Sequence, residues 1–109
     1  MDTHKNEKKE TLEDIAEEIA ERYRSARIYI YETSCNLRSC LTAEKEEKVD
    51  EEYYSICRKI SDMSETRPDE MEKLVYDLLD DYWSLVYTSE SEDVYSRYCS
   101  RISAAANAQ

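Results

Sequence analysis

Four cysteines carry the most distinctive side-chain chemistry in this 109-residue chain, and two of them are closely spaced. Cys35 and Cys40 form a C-x4-C pair that includes Arg38, and a nearby guanidinium favours the reactive thiolate. A structural zinc site needs a second ligand pair at similar spacing, whereas Cys57 and Cys99 are isolated in the sequence. We expect Cys57 and Cys99 to behave as small apolar residues, and the pair predicts a thiol redox or zinc site only as an alternative function.

Catalytic sets of other kinds are not expected. The only histidine, His4, lies in a polar N-terminal segment, so the sequence offers no Ser/His/Asp or Cys/His set and no Glu-x-x-His di-metal site. Acidic neighbours such as Glu17 and Glu18, or Asp80 and Asp81, are typical of a solvated helix face, because an acid–base dyad needs a desolvated cleft. The chain has no glycine, which phosphate-binding loops require. We predict a non-enzymatic protein without a cofactor.

The elements that position these side chains are predicted to be helices. Apolar residues recur at three- and four-residue steps, and without glycine the tight turns of β-hairpins are disfavoured. Short connections between helices favour antiparallel neighbours. We therefore predict an all-α, antiparallel four-helix bundle with helices at about 11–34, 43–64, 68–88 and 92–105. Residues 1–10 are predicted to be a flexible tail, and residues 11–109 a single helical domain.

The ends of the predicted helices have recognisable signals. Thr11 and Asp14 form a capping-box pattern, Ser91 is suited to cap the last helix, and Pro68 suits a first helical position. Residues 27–33 are apolar at successive positions and rich in β-favouring types, but a lone strand would have no partner. We therefore predict that this segment is helical.

The predicted third helix is apolar on two opposite faces. Its core-facing arc is predicted to hold Met71, Leu74, Val75, Leu78, Tyr82 and Leu85. Tyr76, Trp83 and Tyr87 fall on the far side, with Leu79 and Val86 between the two faces. Either other helices of the chain flank this helix on both sides, or a partner covers the aromatic face.

The charge of the chain restricts its partners. The net charge is −11, and residues 65–90 carry eight acidic residues against two basic ones. Direct binding to nucleic acid or to an anionic membrane is disfavoured, because both require Lys or Arg to neutralise phosphates. The acidic charge instead favours a partner with a basic surface. No apolar run has the length of a signal peptide or a membrane span, so we expect a cytoplasmic protein.

These observations predict a binding protein. The expected partner-binding residues combine acids and aromatics: Tyr54, Tyr76, Asp77, Asp80, Asp81, Trp83 and Tyr87. The composition resembles that of small acidic helical inhibitors of nucleases and restriction systems from phages and mobile elements, and that of toxin-immunity proteins, although no motif identifies a family. The resemblance implies an inhibitor that masks a basic nucleic-acid-binding surface, as a DNA mimic does, and we expect a homodimer through the aromatic face. A structural, oligomerising bundle is the alternative.

Overall fold

A computed structural model describes residues 10–33 and 43–108 of the chain. These residues form four helices: α1 (Leu12–Thr33), α2 (Ala43–Thr66), α3 (Met71–Val86) and α4 (Glu92–Asn107). A short 3₁₀ turn, Pro68–Glu70, leads into α3. The predicted all-α, antiparallel four-helix bundle is confirmed, and each helix boundary lies within three residues of its predicted position.

Local hydrogen bonds explain where the helices begin. The Thr11 hydroxyl accepts a 3.1 Å bond from the backbone N–H of Asp14, and the Asp14 carboxylate accepts a 3.1 Å bond from the backbone N–H of Thr11. This reciprocal pair satisfies two backbone donors that the helix cannot. Ser91 caps α4 by accepting a 3.1 Å bond from the N–H of Asp93. Pro68 occupies the first position of the 3₁₀ turn, where its missing N–H costs nothing.

The β-favouring end of the first helix, residues 27–33, is helical, as predicted. The third helix differs at both ends from its prediction. It begins as the 3₁₀ turn and becomes α-helical only at Met71, and it ends at Val86 rather than about residue 88. The segment after Val86 forms turns, in which Ser89 donates a 3.2 Å hydrogen bond to the carbonyl of Val86.

Helices α1 and α3 form the central pair of the bundle. Ser64 bonds to Glu13 near one end of α1, and Arg24 bonds to Asp50 further along, so α1 and α2 are antiparallel. Since α3 returns after a short turn, it runs in the same direction as α1. These two diagonal helices make the most extensive contact, while α2 and α4 lie on opposite sides of them with no backbone contact to each other in the described residues.

Small side chains allow this close diagonal contact. Ala16 and Ala20 are four residues apart on α1 and almost fully buried, with Val75 and Leu79 of α3 buried in the same core. Alanines at such spacing bring two helix backbones nearer than larger side chains would. The buried core also takes side chains from every helix: Leu12, Ile15, Ile19, Ile60, Met71, Leu74, Tyr82, Val86, Tyr98, Ile102 and Ala105.

The core face of α3 is rotated from the predicted one. Leu79 and Val86, expected between the two faces, are buried, whereas Leu78 and Leu85, expected at the core, are only half-buried. The reason is that α3 packs against α1 and α4 together. The most buried line on a helix with neighbours on two sides lies between its two apolar faces.

Candidate functional site

An acidic edge on α3 contains three of the residues expected to bind a partner. Asp77, Asp80 and Asp81 are all exposed. Asp77 pairs with Lys73 at 3.2 Å, and Asp80 accepts a 2.8 Å hydrogen bond from the Tyr95 hydroxyl. Within the described residues, the carboxylate of Asp81 has no hydrogen bond or ion pair. The edge therefore presents three carboxylates against one ammonium group.

Two members of this edge also border a groove between α2 and α3. The groove has a volume of about 320 Å³ and is open to solvent. Its floor is formed by α1 through Ile19, Ala20 and Tyr23, and its walls by Glu52, Ser55, Ile56 and Lys59 of α2 and by Leu74, Asp77, Leu78 and Asp81 of α3. The floor and inner walls are therefore largely apolar, while the rims carry the charges.

The two rims of the groove differ in charge. The α3 rim carries Asp77 and Asp81. On the α2 rim, Glu52 forms an ion pair with Arg27 of α1, and Lys59 lies further along the same wall. The α3 rim is thus acidic, and the α2 rim is mixed.

The structure separates the aromatic residues expected at an interface into two groups. Tyr76 and Trp83 are half-buried and pack against the core, and the Trp83 ring lies 5.4 Å from the ring of Tyr95 on α4, tilted by 56°. Burial raises the pKa of Tyr76. Part of the aromatic face of α3 is therefore covered by α4 of the same chain.

The other two aromatics are largely exposed. Tyr54 is 58% exposed and Tyr87 is 62% exposed. Tyr54 makes an edge-on contact with Tyr53, with ring centroids 5.5 Å apart. At 100° per residue, Tyr54 lies about 200° around α2 from Ile56 of the groove wall. Tyr54 is therefore not part of the groove, and the structure does not bring all seven expected residues into one surface.

A polar cluster between α1 and α4 was not anticipated from the sequence. The Glu18 carboxylate accepts a 2.6 Å hydrogen bond from buried Tyr98 and bonds of 2.7 and 3.0 Å from Arg101. Arg101 also donates a 3.1 Å bond to Glu10, the one residue of the predicted tail that the structure describes. The Arg101 guanidinium lies 5.0 Å from the centre of the Tyr98 ring. The sequence signal was the i, i+3 spacing of Tyr98 and Arg101, which puts both on one helix face.

The cysteines split between described and undescribed segments. Cys57 and Cys99 are free, half-buried thiols, and burial raises the pKa of Cys99. Cys35 and Cys40 lie outside the described residues. In the two described ranges, no group of three or more His, Cys, Asp or Glu side chains is placed to hold a metal ion. The helices in these ranges are also too short or too polar to cross a bilayer.

Comparisons of the chain with protein-family models, curated proteins and solved structures found no significant match.

Proposed function

We propose that this protein is a non-enzymatic binding protein that recognises a basic segment of a partner protein through the acidic edge of α3. The observation that carries the proposal is the position of Asp77 and Asp81 on the rim of a groove with an apolar floor. An interface of this kind gains affinity from apolar contact and gains specificity and association rate from charge complementarity.

The charge density of this chain suits a short basic segment of a partner better than a long nucleic-acid-binding surface. The described residues extend over 55 Å, a length over which duplex DNA carries about 30 charges. The whole chain has 26 acidic and 15 basic residues, and several acids are engaged in ion pairs. Inhibition by imitation of DNA is therefore a special case of the proposed function. It requires a partner whose basic nucleic-acid-binding site is short.

Capture of partners from cells tests the proposal. The immobilised protein is exposed to nuclease-treated lysate of its source cell, washed with rising salt, and compared with the double variant Asp77→Asn, Asp81→Asn. We expect retained proteins with basic surfaces to be released as salt screens the contact, and the variant to retain them at least several-fold less. Added duplex DNA competes with the protein only if the partner's basic site also binds nucleic acid.

The control variant is Glu47→Gln with Glu65→Gln, which removes the same charge from exposed positions of α2 outside the groove. If both double variants lose binding equally, net charge rather than the α3 edge is responsible. If neither loses binding, the acidic edge is not the binding surface.

The structural alternative is a homodimer, which the exposure of Tyr54 and Tyr87 favours. The coverage of Tyr76 and Trp83 by α4 removes part of the reason to expect a second copy there. Light scattering over a range of concentrations tests this alternative, which requires a dimer that dissociates when Tyr54→Ser and Tyr87→Ser are combined. The thiol alternative is tested by Cys35→Ser with Cys40→Ser, which should leave partner capture unchanged if binding is the function.

A further inference from the structure

We infer that the groove between α2 and α3 binds one amphipathic helix of the partner, with its apolar side chains against the floor and its basic side chains along the α3 rim. This inference rests on the proposed function and specifies the conformation and orientation of the bound segment. It goes beyond a salt-dependent contact, which any acidic surface would allow.

The length of the groove matches two turns of a helix. Its lining runs from Leu74 to Asp81 on α3 and from Glu52 to Lys59 on α2, which is eight residues, or seven residue steps, on each wall. At a rise of 1.5 Å per residue, each wall is about 10 Å long. A bound helix that contacts both walls can place apolar side chains at positions i, i+3 or i+4, and i+7 over this length.

The apolar surface that a ligand can contact inside the groove comes from three half-buried side chains, because Ile19 and Ala20 of the floor are fully buried. Leu78 and Ile56 are half-buried on opposite walls, and Tyr23 is half-buried on the floor between them. The volume of about 320 Å³ is at the low end of the range of about 300–1,000 Å³ for small-molecule pockets, and the groove is not enclosed. Side chains from a helix lying along an open groove suit this shape better than a small molecule that must be surrounded.

The charges on the rims select the orientation of the bound helix. Asp77 and Asp81 are one turn apart on α3, so their side chains are about 6 Å apart. The ion pair of Asp77 with Lys73 is exposed and therefore weak, so both carboxylates can pair with basic residues one turn apart on the ligand. On the α2 wall, Lys59 repels a basic side chain, and the Glu52 carboxylate is already engaged in an ion pair with α1. The ligand is therefore expected to carry Lys or Arg on only one flank of its apolar stripe.

A second copy of this chain is a poorer ligand than a basic helix. Each copy carries a net charge of −11, so two copies repel each other at low ionic strength. The inference accordingly commits to a basic amphipathic helix from another protein.

Binding of designed peptides, followed by fluorescence anisotropy at low salt, tests the inference. The probe is a labelled peptide of about four helical turns, with leucines at three- and four-residue steps, lysines on one flank and glutamines on the other. A second peptide has the same composition in scrambled order, so that its charge is equal but it has no apolar face. We expect the amphipathic peptide to bind at least about tenfold more tightly than the scrambled one.

Two matched variants locate the binding site. Ser55→Trp fills the groove from an exposed position in its α2 wall, and Ser61→Trp places the same side chain on an exposed position of α2 outside the groove. We expect Ser55→Trp to lower the affinity for the amphipathic peptide about tenfold or more. Ser61→Trp should change this affinity by less than about twofold. Circular dichroism and thermal unfolding of both variants establish that each remains folded.

The possible contrary results are distinguishable. If the scrambled peptide binds as tightly as the amphipathic one, or if the two tryptophan variants behave alike, the groove is not a helix-binding site, but the proposed function of the acidic edge stands. If neither peptide binds the wild-type protein, the inference is overturned, and the proposed function is decided separately by partner capture with the Asp77→Asn, Asp81→Asn variant. Binding that produces a dimer of this chain, detected by light scattering, also overturns the inference.

Discussion

The Tyr98 hydroxyl donates a 2.6 Å hydrogen bond to the Glu18 carboxylate across the contact between α4 and α1. Arg101 binds the same carboxylate, and its hydrogen bonds, opposed by partial burial, lower the pKa of Glu18 to about 2. Burial and the bond to Glu18 raise the pKa of Tyr98, so this phenol stays protonated as a donor. The cluster therefore stabilises the fold only while Glu18 is ionised.

Replacement of the Glu18 carboxylate should make the free energy of unfolding less dependent on pH in the acidic range. In the unfolded chain Glu18 titrates near its ordinary value of about 4.3, so its contribution is complete above that pH and is lost as the pH falls towards 2. We expect Glu18→Gln to cost about 1 kcal/mol at pH 7, a value limited by the 38% exposure of the side chain, and to cost less at pH 3. Urea unfolding at both pH values measures this, with Glu47→Gln as the control. Equal losses at pH 7 and pH 3 would contradict it.

The Tyr95 hydroxyl is expected to make stability sensitive to alkali. Its hydrogen bond to Asp80, with burial, raises the pKa of Tyr95 to about 12. An unfolded tyrosine titrates near pH 10, so the contribution of Tyr95 is present below pH 10 and is lost as the pH rises towards 12. We expect Tyr95→Phe to cost about 1 kcal/mol at pH 8 and less at pH 11. The control is Tyr54→Phe, because the hydroxyl of Tyr54 makes no hydrogen bond in the described ranges. A Tyr95→Phe cost that does not change with pH would refute this account.

Trp83 and Tyr87 are expected to differ in their effect on stability. Trp83 packs against Tyr95 and the core, whereas Tyr87 is largely exposed beyond the end of α3. We expect Trp83→Ala to lower the free energy of unfolding by about 2–3 kcal/mol, somewhat less than for a fully buried aromatic side chain. Tyr87→Ala should change it by less than about 0.5 kcal/mol. Denaturant unfolding of the two single variants decides the point, and a large loss for Tyr87→Ala would show that its ring is covered in solution.

The small side chain of Ala16 is expected to be essential to the contact between α1 and α3. Ala16 is completely buried, so a larger side chain would force the two helices apart. We expect Ala16→Leu to destabilise the protein by about 1–3 kcal/mol. Ala104→Leu, at an exposed position of α4, changes side-chain volume by the same amount and should have almost no effect. Similar thermal unfolding of the two variants would contradict close packing at Ala16.

The positions of the helices could be predicted because local signals determine them. The Thr11–Asp14 box, Pro68 and the Ser91 cap act through neighbouring backbone groups, and all three have the expected positions. Apolar spacing gave the extent of each helix. The segment at residues 27–33 was correctly interpreted as helical because a strand would have needed a partner elsewhere in the chain.

The arrangement of the helices could not be predicted in the same way. A helix that is apolar on two opposite faces has no single core direction, so the burial of Leu79 rather than Leu78 depended on how α1 and α4 flank α3. Similarly, the sequence could not distinguish whether Trp83 faces a partner or another helix of its own chain. The groove depends on the separation of α2 from α3, and no residue pattern specifies that separation.

Because α2 and α4 have no backbone contact with each other in the described part of the chain, we expect each to open locally from the central pair largely independently of the other. Only Val49 and Ile60 of α2 are fully buried, so its amide protons should exchange with deuterium sooner than those of α3. A ligand seated beside α2 would then slow exchange there and leave α4 unchanged. Hydrogen exchange in α2 should therefore report whether the groove between α2 and α3 is occupied.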